Sequence, residues 1–233
     1  MSNDPATDQP ADAVDLGRLY AAARERITAL VADADPTTPV PATPGWDVHD
    51  VVAHVRGVVE DGLGGNMAGA PGEAWTAAQI ERGRGVPVAE LVAAWAEQAP
   101  TFEGFLSSPA GAGVSAAVLD VLTHEYDLRA ALGAPGGLDD EAGRFAFGVL
   151  AGSVVGRAAG AGLAPVRIAS EEGDVAGPTD AAVSVTVARV ELIRAVLGRR
   201  CTEQVRAWTW TGDPEPYLPH VAIFGPRQDP LVD

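Results

Sequence analysis

The chain has 233 residues, 47% of them apolar and 21% charged, with a formal net charge of −16 in which every basic residue is an arginine. That length suffices for one large domain or two small ones with a buried core. An acidic surface without a basic stripe excludes recognition of a phosphate backbone, so nucleic acid is not an expected partner.

Residues 1–12 are acidic and polar and read as a disordered tail. They have neither the charged n-region nor the apolar core of a secretory signal. A first helix is expected over 13–34, with Leu16, Leu19, Tyr20, Ala23, Ile27 and Leu30 on one stripe. The proline-rich run from Asp35 to Gly45 forbids regular helix. Asp47 then reads as an N-cap, with Asp50 as a favourable charge in the first turn, for a helix carrying Val48, Val51, Val52, His54, Val55 and Val59.

The segment 62–72 is loose and glycine-rich, and a further helix is expected over 87–106, kinked or split by Pro100. Its core side is read as Leu91, Trp95, Phe102 and Phe105. The next helix, over 115–132, stops at Gly133, and another follows over 139–160. In that helix Gly148, Gly152, Gly156 and Gly160 recur every fourth residue and make a smooth ridge, suited to close packing against another helix or to a dimer face. The stretch from Phe145 to Gly156 is the longest apolar one, too short to span a bilayer.

After Gly162 the period changes. Segments 165–169, 182–187 and 205–211 alternate like strands, and 189–197 is an amphipathic helix ended by Gly198. The single cysteine, Cys201, cannot form an intramolecular disulfide, which fits a reducing compartment and a cytoplasmic protein. The expected fold class is α+β: a helical bundle over 13–160, then a small α/β domain over 163–233.

Chemistry concentrates on few residues. Asp120 and His124 stand four apart in a helix without breakers, so at ~100° per residue their side chains lie on one face and can converge on one cation. His54, from the second helix, could supply a third ligand, leaving the open fourth position of a catalytic zinc-type site. Each histidine alone reads more readily as a satisfied core residue than as a ligand. Asp127 shares the face of His124 and suits a carboxylate that accepts from a ligand imidazole, or an ion pair with an arginine. Glu125 points off that face and reads as solvated. His49 is turned ~140° from His54 and reads as a surface residue. His220 reads as structural, and Cys201 as a bystander. Phosphate-binding loops, dinucleotide fingerprints, nucleophile elbows and H-E-x-x-H are all missing.

Thr43-Pro-Gly-Trp-Asp-Val-His-Asp-Val-Val-Ala-His54 and Asp120-Val-Leu-Thr-His124-Glu-Tyr-Asp127 resemble two signatures of the mycothiol-dependent maleylpyruvate isomerase family, a branch of the DinB-like bundles. Segments 189–200 and 208–214 resemble its sterol-carrier-like C-terminal domain.

The resemblance implies a divalent metal, zinc above all, held by His54, Asp120 and His124, with mycothiol as thiol co-substrate and a small electrophile as substrate. The implied activity is S-transfer or cis–trans isomerisation. A carboxylate of the isomerase is Glu where this chain has the shorter Asp120. An arginine of the C-terminal domain is implied near the substrate, for which Arg227 and Arg206 are the candidates. A metal-dependent hydrolase and a non-catalytic metal- or ligand-binding protein are the rival readings. The expected protein is a monomer or homodimer with no nucleic-acid or membrane partner.

Overall fold

A computed structural model describes residues 14–134, 136 and 140–232; the tail expected over 1–12 lies outside them. Helix α1 (Leu16–Val31) begins where the Asp15 side chain accepts from the Arg18 N–H, and its buried stripe is Leu16, Leu19, Tyr20, Ala23 and Ile27. Helix α2 (Val48–Gly64) opens on a capping box in which Asp47 and Asp50 satisfy each other's backbone N–H groups. The proline-rich loop before it folds back, Val40 donating to the Trp46 carbonyl at 2.9 Å.

Helix α3 (Glu73–Gly83) fills a stretch where no element was expected. It crosses α2 closely: a Cβ at Gly57 would stand 2.6 Å from the Gln79 Cβ, and one at Gly83 would stand 2.5 Å from that of Ala53. Helix α4 (Val88–Leu106) runs unbroken through Pro100. Its buried stripe is Leu91, Trp95, Ala99, Phe102 and Leu106. Phe105, expected in the core, is instead 41% exposed, because it sits ~100° around the helix from Leu106.

Helix α5 (Ser115–Ala131) is followed by Gly133 in the left-handed region at φ 59°. It packs on α1 and α2, and α4 packs on α1 and α2, so these four helices form the bundle. The last helix before the sheet, α6 (Asp140–Gly160), packs mainly on later elements. Its glycine ridge does not pack against another helix. A Cβ at Gly148, Gly152, Gly156 or Gly160 would meet nothing within 4 Å, because α6 is covered only on its opposite side.

Strands β1 (Val166–Ser170), β2 (Val175–Ala176), β3 (Val183–Val187) and β4 (Thr209–Thr211) form one sheet in the order β2-β1-β3-β4. β1 and β3 pair in parallel with Ile168 opposite Val185, and the outer pairs are antiparallel. Helix α7 (Arg189–Val196) packs on α6, which in turn covers β1 and β2. The strand expected from Val205 starts late. The Cys201 N–H donates to Gln204 Oε1 at 3.0 Å, and this opens the short helix α8 (Thr202–Arg206) instead. The fold is thus a helical bundle followed by a small α/β unit, and no helix among the described residues is long and apolar enough to cross a membrane.

Candidate metal centre

The middle of α2 and the middle of α5 bring His54, Asp120 and His124 together. One ligand-capable atom from each lies within 4.8 Å of the others. Oδ1 of Asp120 is 3.4 Å from His54 Nε2 and 3.6 Å from His124 Nε2. Both separations are long for strong hydrogen bonds. They match the edge of a tetrahedron built on metal–ligand bonds of ~2.0–2.1 Å, which is about 3.4 Å. The donor set therefore fits a first-row divalent cation, and Asp120 reaches both imidazoles in spite of its short side chain.

The outer nitrogen of each imidazole is turned back into the protein. His54 Nδ1 lies 2.7 Å from Gln79 Oε1, while Gln79 Nε2 donates to Asp61 Oδ2 at 2.9 Å. An ionised carboxylate only accepts, so the amide oxygen must face His54. Nδ1 then carries a proton, so in the neutral ring Nε2 keeps the lone pair that a cation beside Asp120 would take. Arg82 continues the chain, donating to Asp61 Oδ1 at 2.7 Å. On the other side His124 Nδ1 is 3.1 Å from Asp127 Oδ2, a charge contact without good hydrogen-bond alignment. Asp127 also meets Arg194 Nη1 at 2.5 Å and Arg199 Nη2 at 2.6 Å. Asp127 thus forms the arginine ion pairs and stands beside the His124 ring without the aligned hydrogen bond expected between them.

Burial would raise the Asp127 carboxyl, but Arg199, His124 and Arg194 hold it far below the usual carboxylate range. Burial also opposes ionisation of Asp120, and the imidazoles of His54 and His124 more than offset it. For His54, burial favours the neutral ring, yet Asp120 and then Gln79 raise its pKa.

The three side chains close the inner end of a cleft of about 970 Å³ between the bundle and the α/β unit. Asp120 is 32% exposed to it, whereas the histidine side chains are 5% and 6% exposed. Trp46 covers the histidines, its ring stacked at 20° and 5.9 Å from His124 and tilted at 5.3 Å from His54. Trp75 of α3 meets His54 edge-on at 6.4 Å. The far wall carries Arg199, Phe224 and Arg227.

Residues 19–129 match the family model of the mycothiol maleylpyruvate isomerase N-terminal domain. The match lies within the helical bundle and stops before α6 and the sheet. Two solved structures are similar at the level of the fold. A crystal structure of the mycothiol-dependent maleylpyruvate isomerase is 12% identical with a TM-score of 0.50, over 81% of this chain and 90% of that one. A histidine-to-alanine mutant of the mycothiol-dependent maleylpyruvate isomerase is 12% identical with a TM-score of 0.51, over 88% and 96%. No curated protein matches the chain.

Other expectations fall differently. Glu125 is not solvated; it is buried between Arg26 and Arg129, at 2.7 and 2.9 Å. His49 is half-buried, with Nε2 2.9 Å from the Val86 carbonyl oxygen. Arg206 pairs with Glu215 away from the cleft, whereas Arg227 is on the cleft wall, its Nη1 donating to the Pro41 and Ala42 carbonyls at 3.1 and 3.3 Å. His220 is not on that wall, and its carbonyl accepts from Arg157. Gln79 and Arg199 escaped the sequence reading. Cys201, read as a bystander, is buried and does not line the cleft.

Proposed function

We propose that the chain is a divalent-metal-dependent enzyme that uses mycothiol as thiol co-substrate for S-transfer to, or cis–trans isomerisation of, a small electrophile. The observation that carries the reading is the placement of one Asp120 oxygen at tetrahedral-edge distance from two Nε2 atoms, inside a bundle of this family. We assign His54, Asp120 and His124 as the ligands and zinc as the metal. A divalent cation held there supplies a Lewis acid that favours the thiolate of a bound thiol at neutral pH.

The chain's own residues do the rest. Gln79 and Asp127 hold the imidazoles with Nε2 facing the cleft. Trp46 and Trp75 keep water from the histidine side, which strengthens every charge interaction within. Arg227 lines the cleft, its guanidinium anchored through Nη1 on the Pro41 and Ala42 carbonyls. We assign its remaining donors to an anionic group of the substrate.

The test is elemental analysis of the purified protein beside His124→Ala, followed by a screen of electrophiles with and without mycothiol. One equivalent of a first-row metal, lost in the variant, together with thiol-dependent turnover, is the expected result. A metal-free protein after zinc is supplied and excess removed would overturn the reading. Turnover that proceeds equally well without thiol would make the protein a hydrolase.

A further inference from the structure

We propose that Arg199, supported by Arg194, is a positioning residue of the metal centre, through which the α/β unit sets the affinity of a site built wholly from the bundle. The inference rests on the reading of His54, Asp120 and His124 as ligands. Arg194 lies in the last turn of α7 and Arg199 just beyond it, whereas Asp127 lies one turn after His124 on α5. Asp127 has no exposed surface, and its two oxygens are shared between the two guanidinium groups and the His124 ring. A buried carboxylate is tolerated only when its charge is matched in place. The matching charge comes here from the α/β unit, by direct buried contact.

Arg199 lines the cleft and so invites the reading of a substrate-binding arginine. Its donors point elsewhere. Nη2 and Nε reach Asp127 at 2.6 and 3.4 Å, and Nη1 donates to the Leu197 carbonyl at 2.6 Å. The guanidinium is thereby held edge-on to Asp127. The turn that aims it is specific. Gly198 has φ 80°, and a Cβ there would stand 3.1 Å from the Gly225 carbonyl oxygen. The loop that carries Gly225 is itself tied down, Arg227 N–H donating to the Arg200 carbonyl at 3.1 Å.

The path from the α/β unit to a ligand is therefore two contacts long, from Arg199 to Asp127 and from Asp127 to His124. A carboxylate 3.1 Å from Nδ1 favours, through its charge, the proton on that nitrogen and the lone pair on Nε2, where a cation needs it. Loss of the outer partner lets Asp127 turn away and frees the ring.

The test uses the full chain. Zinc dissociation constants are measured by competition with a chromogenic chelator for wild type, Arg199→Gln, Arg199→Lys and Arg206→Gln. Each protein is also loaded with cobalt(II) for its visible absorption bands, and melted without metal to verify folding. Arg199→Gln is expected to weaken zinc about tenfold or more, within the ~10–100-fold range for outer partners of metal ligands, and to change the cobalt bands. Arg199→Lys should recover part of the loss, and Arg206→Gln, whose arginine pairs with Glu215 at the surface, none of it being lost, should match wild type. Zinc affinity of Arg199→Gln within twofold of wild type, with unchanged cobalt bands, overturns the inference while leaving the ligands in place. Wild type that binds no zinc overturns the ligand reading as well. If Arg199→Gln does not melt cooperatively, Arg199→Lys is judged against the same twofold limit.

Discussion

Gln79 Oε1 stands 2.7 Å from His54 Nδ1 and joins a helix that the sequence left unassigned to the centre of the site. Replacing Gln79 with Leu removes the acceptor for His54 and one donor to Asp61. The expected result is a zinc affinity ~10–100-fold weaker, with ~1–3 kcal/mol lost from stability for the buried groups left unmatched. Chelator competition and urea denaturation measure the two effects separately.

Gly57 explains how Gln79 comes so close. Alanine in a helix interior normally gains ~0.5–1 kcal/mol over glycine. Here its Cβ would lie 2.6 Å from the Gln79 Cβ, so α3 must move. Gly57→Ala should therefore destabilise by ~1–3 kcal/mol, the usual cost of overpacking, and should weaken zinc binding as well. A more stable variant by urea denaturation would show that the helix crossing yields easily.

Asp61 gives the protein an acid-sensitive element. Burial would raise its carboxyl, but hydrogen bonds from Asn66, Gln79 and Arg82 outweigh burial and hold it below its ordinary value. A carboxyl depressed in the folded state contributes stability in full above its unfolded pKa of about 3.9, and loses it as pH falls through the folded value. Asp61→Asn should lower stability near neutrality and flatten the decline below about pH 4. Denaturation midpoints measured from pH 7 to pH 3 test this; parallel curves for the two proteins would refute it.

Metal loading should be visible in the melt. Free zinc at a hundred times its dissociation constant adds about 2.7 kcal/mol to a one-site protein. For a chain of this size that corresponds to a rise of roughly 5–10 °C. Asp120→Asn should lose most of the rise, since it removes a charged ligand, and scanning calorimetry with and without zinc measures it.

Residues whose roles depend on position along a single helix were legible in the sequence. Asp120 and His124 share a face whatever the rest of the chain does, and His54 sits on the apolar stretch that must turn inward. The capping box at Asp47 and Asp50 is local in the same sense. Gln79 was not legible, because α3 buries only Gln79 and Gly83 and so shows no apolar stripe. Arg199 depends on the turn at Gly198 and on a carboxylate distant in the chain. The glycines of α6 do not pack on another helix of the chain for a related reason: spacing says which residues share a face, and only the packing of the neighbours says whether that face is covered.

The unequal exposure of the three side chains has a kinetic corollary. With both histidines nearly buried beside Trp46 and Asp120 the most open of the three to the cleft, a cation bound there would come and go by the route that a substrate takes. Cleft and metal would share one doorway. An occupant of the cleft should then slow stripping by chelators without touching a ligand, so that a working enzyme would hold its metal most firmly while it is saturated.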